Sequence, residues 1–159
     1  MQIRAARADD VDACVAVLAE LPDYFTASTH DEVRRELPVN PAWVAQDDDG
    51  VVVGFILAPR RFAHAAEITF AAVMPHRHRQ GIGRELVAQS LAALASDGVA
   101  VVVVKTLDAS ANYEPYAATR AFWERCGFVQ IDRIDPLPGW QPGNPSAIYV
   151  RAVRSSDDP

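Results

Sequence analysis

Residues 66–84 read AEITFAAVMPHRHRQGIGR, and the fold turns on how they are divided. Glu67 to Met74 has the character of a strand, and Pro75, which lacks a backbone N–H, ends it. After Gly83 the apolar residues fall at Leu86, Val87, Leu91 and Leu94, the spacing of a helix with one buried face, which Asp97 and Gly98 close. Between strand and helix stands Gln80-Gly81-Ile82-Gly83. Two glycines let a ligand approach the backbone, the first N–H groups of the helix have no partner within it, and the helix dipole favours an anion there. Arg77, Arg79 and Arg84 surround the turn, and residues 76–84 contain no acid. The combination predicts a phosphate or pyrophosphate site. It is not a P-loop, because Arg84 and Glu85 follow Gly83 where Lys and Ser or Thr are needed. It is a poor dinucleotide fingerprint as well, with Leu86 in place of the third glycine and a position in mid-chain.

On the N-terminal side, Gln2 to Ala6 predicts a short strand. Asp9 and Asp10 offer capping carboxylates to a helix with the stripe Val11, Val15, Leu18 and Leu21, stopped by Pro22. A second helix is expected over Asp31 to Leu37, then a strand Ala42 to Gln46, a turn at Asp47 to Gly50 and a strand Val51 to Ala58. On the C-terminal side, Val99 to Val104 reads as a central strand covered on both faces. Pro115 opens a last helix with Ala118, Phe122 and Cys126 inside and Gly127 at its end. Phe128 to Ile134 and Ala147 to Val153 supply the last strands, separated by the stiff loop PLPGWQPGNP, residues 136–145. The expected fold is α/β: a mixed central sheet of about six or seven strands with helices on both faces, in a single domain over residues 1–154, with 155–159 as a disordered tail.

The chain's 159 residues suffice for one well-buried core. Net charge −6 argues against sequence-independent nucleic-acid binding, which neutralises phosphates with Lys and Arg. Apolar runs fall far short of a membrane span, and Arg4, Arg7, Asp9 and Asp10 stand where an export signal would be apolar, so no membrane partner is expected. Cys14 and Cys126 are far apart and in no ligand spacing, which suggests reduced thiols and a cytoplasmic setting. The four histidines form no ligand set, so no metal is expected.

The segment His78-Arg79-Gln80-Gly81-Ile82-Gly83 resembles the Gln/Arg-x-x-Gly-x-Gly/Ala signature of the GNAT superfamily of N-acetyltransferases, with His78 in the usual place of Gln or Arg. AEITFAAVMP, residues 66–75, looks like that family's fourth strand, and AFWERCGF, residues 121–128, like its last helix and the strand after it. The resemblance implies a GNAT-like sheet, acetyl-CoA as co-substrate, and direct transfer of an acetyl group to the primary amine of a small molecule or peptide, in a protein that often forms homodimers. It places Val73, Arg79, Gln80, Gly81, Ile82, Gly83 and Arg84 against the cofactor. It also makes Glu67 the general base, and regular alternation would put Glu67, Thr69, Ala71 and Val73 together on the cleft face, with Ile68, Phe70, Ala72 and Met74 on the other. Trp123 falls where many members carry the acidic tyrosine and cannot serve, so Tyr116, with Tyr113 one turn earlier, is the candidate general acid. Trp123 also motivates the alternative of a CoA-binding regulatory domain without turnover; transfer of another acyl group is a third possibility.

Overall fold

The computed structural model of the chain describes residues 1–153; the expected tail at 155–159 lies outside the described residues. The N-terminal strand β1 (Gln2–Ala5) leads through a 3-10 turn (Ala8–Asp10) into helix α1 (Val11–Ala19). Asp10 does not cap α1 by its side chain. Its carboxylate instead takes both terminal nitrogens of the Arg4 guanidinium, at 2.7 and 2.8 Å, and the Arg7 backbone N–H at 2.7 Å, tying the strand to the start of the helix. Helix α2 (Ala27–Glu36) begins four residues before the expected Asp31, because extended Thr26 provides the start: its N–H donates to Thr29 Oγ1. Strands β2 (Ala42–Gln46) and β3 (Val52–Leu57) flank the expected turn, where the Asp47 carboxylate accepts from Asp49 N–H and Val51 N–H and Gly50 adopts φ +83°.

The expected single strand from Glu67 to Met74 is two. After the short β4 (Arg60–Phe62), β5 (Ala65–Ile68) ends at Thr69 and β6 (Phe70–Val73) begins beyond it. Before the break the N–H groups of Glu67 and Thr69 donate to the Pro59 and Leu57 carbonyls; after it Phe70 stands opposite the same Leu57, and Met74 N–H donates to the Val53 carbonyl. Two residues meet one across the ladder, which is a β-bulge, and the parity of the strand shifts by one. The bulge also changes the partners. β5 lies parallel to β7 (Val101–Leu107), with Ile68 opposite Val104 as the last rung, whereas β6 pairs only with β3. Beyond that rung β6 and the rest of β7 diverge, and the sheet forks.

The result is a four-stranded sheet of order β1-β2-β3-β6 and a five-stranded sheet β4-β5-β7-β9-β8, joined through Thr69, where β8 is Val129–Ile134 and β9 is Ser146–Ala152. The mixed sheet with helices on both faces is as expected; the further strands come from the divided segment and from β4. Helices α3 (Ile82–Ser96) and α4 (Pro115–Arg125) share one face with a core of Ile56, Ile68, Leu86, Val102, Trp123 and Tyr149. The opposite face carries α1 and α2 over Phe55, Leu57, Phe70 and Ala72. Because of the bulge, Ile68 therefore belongs to the α3 face together with Ala71 and Val73, while Phe70 and Ala72 turn to α1. Glu67, opposite in sense to Ile68, does not share a face with Ala71 and Val73, which corrects the uniform alternation expected of residues 67–74. β7 is central by pairing but not covered on both faces: Val102, Val104 and Thr106 are buried while Val101 and Lys105 are exposed, because α1 and α2 do not extend over it.

The hydrogen bonds from Arg4 hold the Asp10 carboxyl below its ordinary value, aided by Arg7 and opposed by burial. A depressed carboxyl contributes stability that is complete above about pH 4 and is lost as pH falls through the lower folded value. Asp10→Asn should therefore lower the unfolding free energy at pH 7 by about 2 kcal/mol. Urea titrations at pH 7, 5 and 3 should show the difference from the parent chain shrinking only at the lowest pH.

Candidate active site

The fork opens on hydrogen-bonding groups of the backbone. In an antiparallel ladder alternate residues face the partner strand, so with Met74 bonded to β3, the N–H and carbonyl of Val73 point away from it, towards the gap left by β7. His78 confirms the direction: its Nε2–H donates to the Val73 carbonyl at 2.7 Å, tying the following loop to the end of β6. The Val73 N–H remains directed at the fork. A histidine in the first position of the loop signature thus acts through its ring, fixing the strand end that the loop leaves.

That loop delivers the N-terminus of α3 to the same place. Arg79 and Gly81 have φ of +61° and +82°, a left-handed pair that turns the chain sharply into the helix, and no side chain caps the first amides of α3. A side chain at Gly81 would meet nothing within 4 Å, so the approach to these amides is open. Gly83 has a different reason: a Cβ there would come within 3.2 Å of the Phe122 ring on α4. Its lack of a side chain lets the two helices close up behind the loop, and is not what admits a ligand. Of the arginines, Arg79 is exposed at the turn; Arg84 lines a groove of about 880 Å³ with Arg125 and Arg151; Arg77 turns back to Asp47 at 3.9 Å on the β2–β3 turn. Free amides, a helix N-terminus and nearby guanidinium groups fit a pyrophosphate.

On the opposite face, Glu67 lies one residue before the last rung of the closed sheet, its side chain 13% exposed. Arg61 Nε donates to one carboxylate oxygen at 2.9 Å, and Lys105 Nζ lies 3.1 Å from the other. Arg60, the other cation near this strand, turns instead to the Asp97 carbonyl. Each carboxylate oxygen has a second lone pair to offer. A wall of aromatic rings stands beside the fork. Tyr116 packs at 5.2 Å from Tyr24 and 5.9 Å from Tyr113, Phe25 reaches Phe70 at 6.4 Å, and the Tyr24 hydroxyl donates to the Pro115 carbonyl, joining the α1–α2 connection to the start of α4. Burial, with the neighbouring Tyr24 and Tyr113, pushes the Tyr116 hydroxyl above its ordinary value, so it keeps its proton near neutral pH. The turn that carries Tyr113 is held by Asp108, whose carboxylate accepts from Ser110 N–H, Ser110 Oγ and Gln130 Nε2.

Trp123 is not in the site. It is 4% exposed and packs edge-on against Phe122 and Phe128 at 5.0 and 5.3 Å. The sequence offers Arg60 or Arg61 as a partner for Glu67, and the structure selects Arg61. The places of Lys105 and Tyr24 at the site are not read from the sequence, although Lys105 is the chain's only lysine and follows an apolar run.

The sequence profile described as the Acetyltransferase (GNAT) domain matches residues 38–130, more than half of the chain. No curated protein sequence matches it. Among solved structures, one assigned to the GNAT acetyltransferases from Desulfovibrio desulfuricans is 21% identical, covering 95% of this chain and 99% of its own, with a TM-score of 0.81. An aminoglycoside 6'-N-acetyltransferase complexed with coenzyme A is 20% identical over 99% and 100% of the two chains, with a TM-score of 0.77. The ribosomal-protein-alanine N-acetyltransferase of Brucella melitensis is 20% identical over 96% and 100%, with a TM-score of 0.72. At these identities the likeness is one of fold.

The two glycines should respond differently to substitution. Gly83→Val forces the Phe122 ring aside and should cost about 1–3 kcal/mol of stability, as overpacking does. Gly81→Ala meets open space and should cost only the roughly 1 kcal/mol of a left-handed backbone. Urea unfolding of both variants measures the contrast.

Proposed function

Since the chain belongs to the GNAT family of N-acetyltransferases, we propose that it moves an acetyl group from acetyl-CoA directly to the primary amine of an acceptor, within a single domain over residues 1–154. The observation that carries this reading is the fork at Thr69, which has an uncapped helix N-terminus on one face of the sheet and a carboxylate held by two cations on the other. The amides of Gly81, Ile82 and Gly83, with Arg79, Gln80 and Arg84 around them, receive the pyrophosphate. The neighbour crystallised with coenzyme A has the same fold and supports this choice of co-substrate. A thioester arm running from α3 into the fork brings its carbonyl to the Val73 N–H, a donor aimed where negative charge develops. The acceptor then enters from the other face.

There Glu67 takes the proton that the ammonium must lose, directly or through a water on a free lone pair of its carboxylate. The amine nitrogen bonds to the acetyl carbon, and the carbon–sulfur bond breaks with the electron pair going to sulfur. The nitrogen gives up its second proton, which through solvent restores the one that Tyr116 donates, while the proton on Glu67 leaves to solvent. Tyr116, which holds its proton at neutral pH, supplies it to the thiolate. The products are the N-acetylated acceptor and CoA. Holding both reactants in the fork turns a bimolecular reaction into one within a complex, which removes part of the entropic barrier. A regulatory domain without turnover is not favoured, because the residue that suggested it, Trp123, is part of the core. No helix among the described residues is long and apolar enough to cross a membrane. We place the protein in the cytoplasm, where acetyl-CoA is made and thiols such as Cys14 and Cys126 stay reduced.

Glu67→Gln should lower kcat by roughly 10² to 10⁴ and leave acetyl-CoA affinity nearly unchanged, as removal of a general base does. Steady-state rates with calorimetric titration of acetyl-CoA test this. For Tyr116→Phe, rapid-quench measurement should show a slower single-turnover step with the KM for acetyl-CoA unaltered; a change in KM alone would assign Tyr116 to the lining of the cofactor channel.

A further inference from the structure

The acceptor face carries more positive charge than its task as a base requires. Glu67 is the carboxylate that would assist an amine, and two cations already hold it, Arg61 at 2.9 Å and Lys105 at 3.1 Å. The three side chains together leave one positive charge. Neither cation is used up by the contact. Arg61 engages Glu67 through Nε, which leaves the terminal nitrogens of its guanidinium for a second partner, and it is half exposed. Lys105 uses one of its three donors and is about one third exposed. Its place is telling: it is the first residue of β7 beyond the last rung with β5, so it stands at the mouth of the fork, on the face where the amine enters. The ordinary purpose of a lysine on an exposed strand face is solubility, but here the ammonium is directed inward onto the carboxylate.

A cationic acceptor with several amines would bring like charges against Arg61 and Lys105. An acceptor that carries its own carboxylate meets the opposite situation. We propose that the acceptor is a zwitterionic, amino-acid-like monoamine, and that Lys105 and Arg61 bind its carboxylate while Glu67 faces its amine. The rings of Tyr24, Phe25, Tyr113 and Tyr116 beside the fork offer an apolar surface to an uncharged side chain. This selectivity is opposite to that named for the aminoglycoside-acetylating neighbour, whose fold is shared. The inference rests on the acetyltransferase reading of the fork.

The test uses the full chain. Binding of acetyl-CoA is measured first by calorimetry. The common amino acids, their amides, the corresponding decarboxylated amines and the polycation spermidine are then compared by CoA release and, with CoA present, by their dissociation constants. The expected result is that the preferred amino acid exceeds its decarboxylated counterpart at least tenfold in kcat/KM or affinity. That ratio should fall towards one in Lys105→Met and in Arg61→Gln and persist in Lys105→Arg, which keeps the charge. A preference for spermidine or for the decarboxylated amines overturns the inference, as does an unchanged ratio in folded Lys105→Met. If acetyl-CoA binds but no carboxylate-bearing compound reacts or binds, the choice of acceptor alone is wrong. If acetyl-CoA itself fails to bind, the reading of the fork falls, and this inference with it.

Discussion

The extra residue at Thr69 is the constraint on which the rest of the molecule depends. Without it, residues 65–73 would run as one strand, bonded to β3 on one edge and to β7 on the other, and the sheet would be closed. With it, the strand turns by one residue, gives its first half to one sheet and its second half to the other, and leaves the inner edge of β6 unpaired. An unpaired edge is normally a liability at the margin of a protein. Placed in the interior, it becomes a set of oriented donors and acceptors, of which Val73 supplies both kinds. His78 takes the carbonyl, and the amide is left for a ligand.

The same shift of parity separates the chemistry. Ile68, Ala71 and Val73 face α3 and α4, while Phe70 and Ala72 face α1, and Glu67 lies opposite in sense to Ile68. A regular strand would have placed Glu67 and Val73 on one face. The bulge sets the side chains of Glu67 and Val73 on opposite faces, while the Val73 N–H lies in the plane of the sheet and points into the gap between them.

The turn at residues 80–83 was legible in the sequence because its requirements are local: glycine where the backbone is left-handed, no cap on the helix, arginines nearby. The bulge was not. Alternation detects a change of parity only when large apolar and polar residues take turns, and Thr69, Ala71 and Ala72 are small enough to suit either face. For Trp123 the count from Gly127 gives a position in the family pattern but not what the ring packs against, which is Phe122 and Phe128 in the core. The aromatic wall was beyond reach for another reason: Tyr24 and Pro115, joined by one hydrogen bond, are 91 positions apart. What gives the single lysine its place is the parallel register that sets it just past Val104, and register is not written in one strand alone.

The close packing of Phe122 against Gly83, with Trp123 and Phe128 behind it, has a bearing on how such a protein can diversify. Gly83 is built into the interior, so a side chain there acts on folding before it acts on anything bound at the helix terminus. Arg61 and Lys105, on the other side of the fork, stand on exposed strand positions and have few such ties. Replacements on the exposed side of the fork can therefore change its charge while leaving the packing behind α3 as it is.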